Sequence, residues 1–350
     1  MRGLLMMTAL LPTEGHRNFI EFARNFMEIK GGQLTVMVNT RGFEPISGGL
    51  RLRWLTEEFK GPVDNGQIDI VVTDIDTAPQ NPEDHPDFWN WWAQTTWDWT
   101  GSKNYDYFFA SEAYGLEMSK HLGQDCRFVP YDIARDILPI SGTVVRRGGP
   151  EFWDQIIRPA RNHLGQKLGS FCMFGQESVG KTTIAKALAK QNSAASFQPE
   201  WARPYLETVG PDLNPNVMDI IFAGQLAQMK ATAGQTMVTY RDTDLLSTIG
   251  YQRLAGWKVP SYWNDQFDSF RSSHYFLLPD DVPFEPDPLR YGGDKRETDT
   301  KFWYDLLIEY SCNFTVVPRG TLASKIDYIF EKSAGLVHKN WEPIREFKRT

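Results

Sequence analysis

The stretch GQESVGKT at residues 175–182 decides the fold of the second half of the chain. The apolar run SFCMFG (170–175) leads into it, and the strongly helix-forming KTTIAKALAKQ (181–191) follows. Together they fit the pattern G-x-x-x-x-G-K-[ST], in which a glycine-rich turn between a strand and a helix surrounds phosphates with backbone N–H groups. The residues expected to bind nucleotide in this loop are Gly175, Gly180, Lys181, Thr182 and Thr183.

A phosphate loop also needs a metal and an acidic partner. Lys181 is expected to reach the β- and γ-phosphates, and Thr182 is expected to hold Mg²⁺. The segment RDTD (241–244) follows a predicted strand and offers Asp242 as a metal ligand and Asp244 as a substrate ligand. The segment PEWAR (199–203) adds Glu200 and Arg203. The sequence leaves open which of Glu200, Asp242 and Asp244 accepts the substrate proton.

A basic loop follows a later predicted strand. Residues 277–297, LLPDDVPFEPDPLRYGGDKRE, hold Arg290, Lys295 and Arg296 among prolines and glycines. Arginines on such a segment can close over transferring phosphates, exclude water and stabilise charge. We predict a lid here, and the alternative is an ordinary solvated loop.

The first half of the chain begins with a strand-to-helix turn of another kind. The apolar run LLMMTALL (4–11) precedes TEGH (13–16), and apolar residues then recur at helical spacing. Further short β-branched runs alternate with helical stretches, which is typical of an α/β sheet with helices on both faces. The residues around 158–168 lose this periodicity, so we predict two domains, 1–162 and 168–350.

Two short motifs suggest nucleotidyl transfer in the first domain. TEGH places Thr13, Gly15 and His16 at a helix start, and ISGTVVR (140–146) has hydroxyl groups and an arginine at a second helix start. Such groups can position and stabilise a pentacoordinate α-phosphate. The candidates in the second motif are Ser141, Thr143 and Arg146.

Composition limits the remaining possibilities. A length of 350 residues suits two domains, and a net charge of −7 offers no general basic field for nucleic acid. Three widely spaced cysteines suit neither a disulfide framework nor a metal site. The apolar opening is too short to span a bilayer. We expect a cytoplasmic protein that acts on small molecules, without membrane or nucleic-acid partners, and whose homo-oligomerisation stays open.

The order of motifs resembles a known family. TxGH, ISxTxxR, one phosphate loop and DTD together are similar to the bifunctional nicotinamide mononucleotide (NMN) adenylyltransferase and ribosylnicotinamide kinase, the NadR family. The resemblance implies an HxGH-type Rossmann-like nucleotidyltransferase domain followed by a P-loop kinase domain. It implies two reactions that consume ATP with Mg²⁺: nicotinamide riboside is converted to NMN, and NMN is converted to NAD with release of pyrophosphate.

The resemblance also assigns roles to residues. Thr13 and His16 would contact the adenylyl phosphates, Ser141, Thr143 and Arg146 the triphosphate, and Arg290 and Arg296 the phosphates of the kinase ATP. Trp89, and with it Trp92, would stack on the nicotinamide ring. DNA binding, which some members perform through an added helix-turn-helix, is not expected here.

Two alternatives remain at this stage. The family's first strand normally runs into G-x-F-x-P before the histidine motif, whereas this chain has MTALLPTEGH (7–16). The first domain is therefore either an active adenylyltransferase or a degenerate nucleotide-sensing module. A P-loop nucleoside kinase fused to a nucleotidyltransferase of different substrate, such as a cytidylyltransferase, is the other reading.

Overall fold

The computed structural model describes residues 1–137, 140–284 and 299–348, and they form two compact units. The first unit consists of Met1–Ala160 together with the described residues from Glu342 onward, and the second is Arg161–Trp341. The boundary falls inside a helix, Arg158–Leu168, where the sequence indicated a loss of periodicity. Pro159 fits there because a proline is tolerated in the first turn of a helix.

The first unit is built on a parallel five-stranded sheet. Its strands are β1 (Arg2–Met7), β2 (Gln33–Thr40), β3 (Ile68–Asp74), β4 (Tyr107–Ala110) and β5 (Arg127–Pro130). Its helices are α1 (Glu14–Ile29), α2 (Gly48–Glu58), α3 (Lys60–Asp64), α4 (Phe88–Thr100), α5 (Gly115–Ser119) and α6 (Gly142–Gly148), with α7 (Arg158–Leu168) at the boundary. The strand order is β3-β2-β1-β4-β5, the order of a mononucleotide-binding Rossmann half with its added strands.

The second unit has a parallel five-stranded sheet of its own. Its strands are β6 (Ser170–Phe174), β7 (Ala195–Gln198), β8 (Val238–Asp242), β9 (His274–Leu277) and β10 (Phe314–Val316), in the order β10-β9-β6-β8-β7. Its helices are α8 (Lys181–Gln191), α9 (Ala202–Val209), α10 (Pro215–Thr232), α11 (Leu245–Leu254), α12 (Ser261–Phe270), α13 (Thr300–Glu309) and α14 (Leu322–Glu346). The last residues of α14 belong to the first unit.

Burial explains why these segments are strands. All five residues of β6 are buried, and separate apolar clusters cover the two faces of this sheet, with Trp263 and Trp303 in one and Ile184 and Ile329 in the other. Strands buried on both faces carry continuous apolar runs, as parallel sheets require. This packing holds β6 in place, and the phosphate loop begins directly after its last residue, Phe174.

The predicted strands are observed, most of them with shorter bounds, and one strand was missed. The run predicted at 4–11 is a strand only through Met7, and the chain then turns at Ala9, whose φ of 39° is left-handed. β7 was not predicted, because its sequence ASFQ is short and only its last residue is buried. Among the described residues, no helix is both long and apolar enough to cross a membrane.

Candidate functional site

The GQESVGKT segment forms a tight turn between β6 and α8. Gly175 has φ 129° and Gly180 has φ 89°, conformations that residues with a Cβ rarely adopt. The ammonium group of Lys181 donates to the carbonyl oxygens of Gly175 at 3.0 Å and Gln176 at 2.6 Å. The lysine is thus folded back over its own loop, where it can exchange these carbonyls for phosphate oxygens.

Thr182 and Asp242 meet beside this loop. The Thr182 hydroxyl donates to Asp242 Oδ2 at 2.5 Å, although the two residues are far apart in sequence. Asp242 ends β8, the strand paired with β6, and only 3% of it is exposed. Burial raises the pKa of Asp242, while the Thr182 hydrogen bond and the charge of Lys181 act against that rise. A cation at this point would favour the ionised carboxylate further.

A cavity of about 340 Å³ extends from the phosphate loop. Its polar lining residues include Lys181, Thr182, Thr183, Glu200, Arg203 and Asp242. Its apolar lining residues include Leu206, Leu213, Met218 and Ile221, together with the ring of Tyr251. A pocket with both charged and apolar lining residues can hold phosphate groups together with a planar ring.

Asp244 does not belong to that lining. Its Oδ1 accepts from the backbone N–H of Leu246 and caps α11, and its Oδ2 accepts from the hydroxyl groups of Ser272 at 2.8 Å and Tyr275 at 2.6 Å. Only 1% of Asp244 is exposed. The structure therefore favours a structural role for Asp244 over the expected contact with substrate, because its carboxylate is committed to neighbouring protein groups.

Two pocket residues escaped the sequence analysis. Gln225 is buried, and its Oε1 accepts from the backbone N–H of Trp201 at 2.9 Å; among the described residues its Nε2 has no hydrogen-bond partner. Thr243 has φ 68°, which is strained for a β-branched residue and is a feature that tends to cluster at functional sites. A glutamine in a helix and the middle residue of DTD gave no distinguishing signal in the sequence.

Arg290 and Arg296, expected on a lid, lie outside the described residues, as does Lys295. The segment that leads to them does reach the cavity, because Val282 and Pro283 line it. Their roles stay predictions.

In the first unit, Thr13 and His16 form one hydrogen-bonded group at the start of α1. The backbone N–H of Thr13 donates to His16 Nδ1 at 3.1 Å, and the Thr13 hydroxyl lies 2.7 Å from the same nitrogen. Since Nδ1 accepts, the imidazole proton is on Nε2. Burial lowers the pKa of His16 to about 4, so the ring is a neutral donor near pH 7. Gly15 lies beside them in the first turn of α1.

The second motif lies next to this group. A Cβ added to Gly142 would be 3.2 Å from His16 Cε1 and 3.9 Å from Nε2, so the glycine leaves the imidazole room. Ser141 caps α6, its hydroxyl accepting from the backbone N–H of Val144 at 3.3 Å, and Thr143 is exposed in the first turn. The structure thus brings TEGH and ISGTVVR together.

Arg146 lies in the last turn of the same helix and is buried. Its Nη1 donates to the carbonyl oxygens of Ile344 at 2.8 Å, Arg345 at 3.2 Å and Phe347 at 2.7 Å. The sequence predicted a contact with the triphosphate and gave no sign of these partners, which lie nearly 200 residues away.

A second cavity, of about 460 Å³, opens at the carboxyl ends of β1 and β2. Trp89 and Trp92 line it together with Phe88, Thr8 and Arg41. Trp92 is buried, and its indole N–H donates to the carbonyl oxygen of Pro79 at 3.2 Å, which fixes the ring. His16 is not among the described residues that line this cavity, but it follows β1 at the same edge of the sheet.

These features define a class: an α/β chain with a Rossmann-like unit and a P-loop nucleotide-binding unit. A family model described as an AAA domain matches residues 170–325. No curated protein sequence matches the chain. Two solved structures of NadR protein match its whole length, one titled as a complex with NR and the other as a complex with NAD and AMP-PNP.

The likeness to these structures establishes the fold. The first shares 18% sequence identity at a TM-score of 0.65, with 100% of this chain and 97% of that chain covered. The second shares 19% identity at a TM-score of 0.61, with 100% and 98% covered. The predicted fold class is confirmed, and the resemblance to NadR noted in the sequence extends over both units.

Proposed function

We propose that the chain is a two-step enzyme of NAD salvage. The second unit would phosphorylate nicotinamide riboside with ATP to give NMN, and the first would join NMN to the adenylyl group of a second ATP, giving NAD and pyrophosphate. The pairing of Thr182 with Asp242 in the lining of a cavity that also has apolar lining residues is the observation that carries the proposal. It is supported by the fold shared with two NadR structures, one in complex with NR and the other in complex with NAD and AMP-PNP.

In the kinase reaction the loop would hold and orient ATP. Backbone N–H groups between Gly175 and Gly180 would bind the phosphates, with Thr183 beside them, and Lys181 would exchange its two carbonyl partners for phosphate oxygens. Glu200 and Asp242 both line the cavity, and either can accept the proton of the attacking 5′-hydroxyl. Arg203, whose guanidinium lies 3.7 Å from Glu207, would contact substrate, and Arg290 and Arg296 would contact ATP.

The donor set at this point suits Mg²⁺. Thr182 and Asp242 offer a hydroxyl and a carboxylate oxygen, and Mg²⁺ commonly binds one or two such protein oxygens together with substrate phosphates and water. The described residues contain no cluster of three His, Cys, Asp or Glu side chains that would form an all-protein metal site. Bound there, Mg²⁺ would neutralise charge that develops on the transferred phosphoryl group.

In the adenylyl transfer, His16 would act as a neutral donor. Its Nε2–H would hydrogen-bond to the α-phosphate while Thr13 holds the ring through Nδ1. The phosphate of NMN would attack the α-phosphorus of ATP, and pyrophosphate would leave. Ser141, Thr143 and Arg146 would bind the triphosphate, and Trp89 with Trp92 would stack on the cationic pyridinium ring.

The remaining expectations belong to the same proposal. The functional domains would be 1–162 and 168–350, with the terminal helix shared as the structure divides it. The proposed substrates are small molecules, and the chain would act on them in the cytoplasm. It would need no nucleic-acid or membrane partner.

The variants Lys181→Ala and His16→Ala test whether the two reactions take place at separate sites. NMN supplied directly should still become NAD in Lys181→Ala, whereas His16→Ala should convert nicotinamide riboside to NMN and stop there. Loss of both activities in either variant would contradict two independent sites.

A further inference from the structure

The end of helix α14 holds the arginine of the ISGTVVR motif. Three carbonyl oxygens, those of Ile344, Arg345 and Phe347, converge on a single nitrogen of Arg146 at 2.7 to 3.2 Å. The last four carbonyls of a helix lack partners within it and carry the negative end of the helix dipole. A guanidinium is therefore a suitable partner for them, and hydrogen bonds from a charged donor are stronger than neutral ones.

Packing fixes the carbonyls themselves. Ile344 is 6% exposed, and the Phe347 ring lies 6.2 Å from that of Phe43. The cation of Arg41 lies 5.6 Å from the same Phe43 ring, and Arg41 also lines the cavity that contains Trp89. The segment 344–347 is thus packed against the first unit through Ile344 and Phe347, the two residues at its ends.

We propose that the segment 344–347 is a positioning element of the first unit's ATP site, acting through Arg146. Adenylyl transfer would then depend on residues that follow the P-loop unit in sequence. The inference rests on the proposed adenylyltransferase function and adds a part to it. An arginine in the last turn of a seven-residue helix would be oriented by backbone carbonyls of residues 344–347.

Truncation separates this role from general support of the fold. A chain that ends at Trp341 loses all three carbonyls, whereas a matched control that ends at Lys348 keeps them. We expect the first to raise the KM for ATP in adenylyl transfer by roughly 10- to 100-fold, the scale of charge-assisted hydrogen bonds. The KM for NMN and the rate of riboside phosphorylation should change by less than about twofold in both chains.

A double-mutant cycle identifies Arg146 as the intermediary. In an Arg146→Met background, where the donor to the three carbonyl oxygens is gone, ending the chain at Trp341 should add little to the KM for ATP. Phe347→Ala loosens the segment without shortening the chain and should also raise the KM for ATP. It replaces the truncation if the truncated chain folds poorly.

Several outcomes would overturn the proposal. Tighter ATP binding after truncation would mean that the segment opposes ATP binding. Equal effects of truncation on the KM for ATP in the Arg146 and Arg146→Met backgrounds, or equal changes in the KM values for ATP and NMN, would leave only a structural role for the segment. If the intact chain makes no NAD at all, the proposed reaction fails. AMP-PNP binding, measured by calorimetry in the Lys181→Ala background, then decides the inference alone. Weaker binding after truncation supports the inference, and unchanged binding overturns it.

Discussion

Lowering the pH from 7 to 5 should destabilise the first unit through His16. The ring is half-buried, and its loss of solvation lowers its pKa from 6.5 to about 4. Between these two values the unfolded chain binds a proton that the folded chain does not, so stability is fully present above about pH 6.5 and is lost as the pH falls. At 1.36 kcal/mol per pKa unit, the full loss is roughly 3 kcal/mol, and about 2 kcal/mol of it has occurred at pH 5.

Urea unfolding of the intact chain and of His16→Gln, at pH 7 and pH 5, measures this contribution. Glutamine does not titrate, so the variant should lose about 2 kcal/mol less than the parent over the same pH interval. His274→Gln is a matched control, because burial also lowers the pKa of His274 to about 4 but this residue lies in the second unit. It should change the pH dependence of the second unit's unfolding transition and leave the first unit's unchanged.

The same charge state governs the chemistry. A ring that stays neutral above about pH 4 donates from Nε2 without an ionisation near neutrality. The rate of adenylyl transfer in the parent should therefore not fall as the pH drops through 6.5 because of His16. Any decrease in that range should be the same in the parent and in His16→Gln. An equal loss of stability in the parent and His16→Gln, or a His16-dependent decrease in rate near pH 6.5, would refute a His16 imidazole that stays neutral down to about pH 4.

The remaining predictions concern the two cavities. Asp242→Asn removes the carboxylate that pairs with Thr182 and should lower riboside phosphorylation by about 10²-fold or more, with a higher Mg²⁺ requirement, measured by coupled ADP release. Lys181→Ala should lower the same rate by at least a comparable factor, about 10²-fold, and leave NAD formation from supplied NMN within about twofold. Trp89→Ala should raise the KM for NMN by roughly tenfold through loss of stacking, with the KM for ATP unchanged; a rise in the ATP value instead would place ATP, not nicotinamide, on the ring.

Local features of the sequence determined much of the fold and part of the site. A glycine-rich turn between an apolar strand and a strong helix former has few other structures to adopt, so Gly175, Gly180 and Lys181 lie where the motif places them. Asp242 was predictable because parallel strands present their carboxyl ends at one edge of a sheet. The contact of His16 with Gly142 did not follow from this rule, because Gly142 lies well beyond the end of β5 at Pro130.

Long-range features were not predictable from the motifs. Asp244 and Asp242 look equivalent in DTD, and only the hydrogen bonds of Ser272 and Tyr275 to Asp244 distinguish their surroundings. The carbonyls that hold Arg146 are backbone groups of a distant segment, which leave no mark in the side-chain pattern. The burial of Gln225 depends on packing against other segments, which the pattern of its own helix does not indicate.

The most direct test is to incubate the purified chain with nicotinamide riboside, ATP and Mg²⁺ and to follow the products by mass over time. The proposed function predicts that NMN appears first and that NAD with pyrophosphate follows. NMN that accumulates without NAD would leave a kinase joined to a nucleotide-sensing unit, and the absence of any product would contradict the proposed substrate.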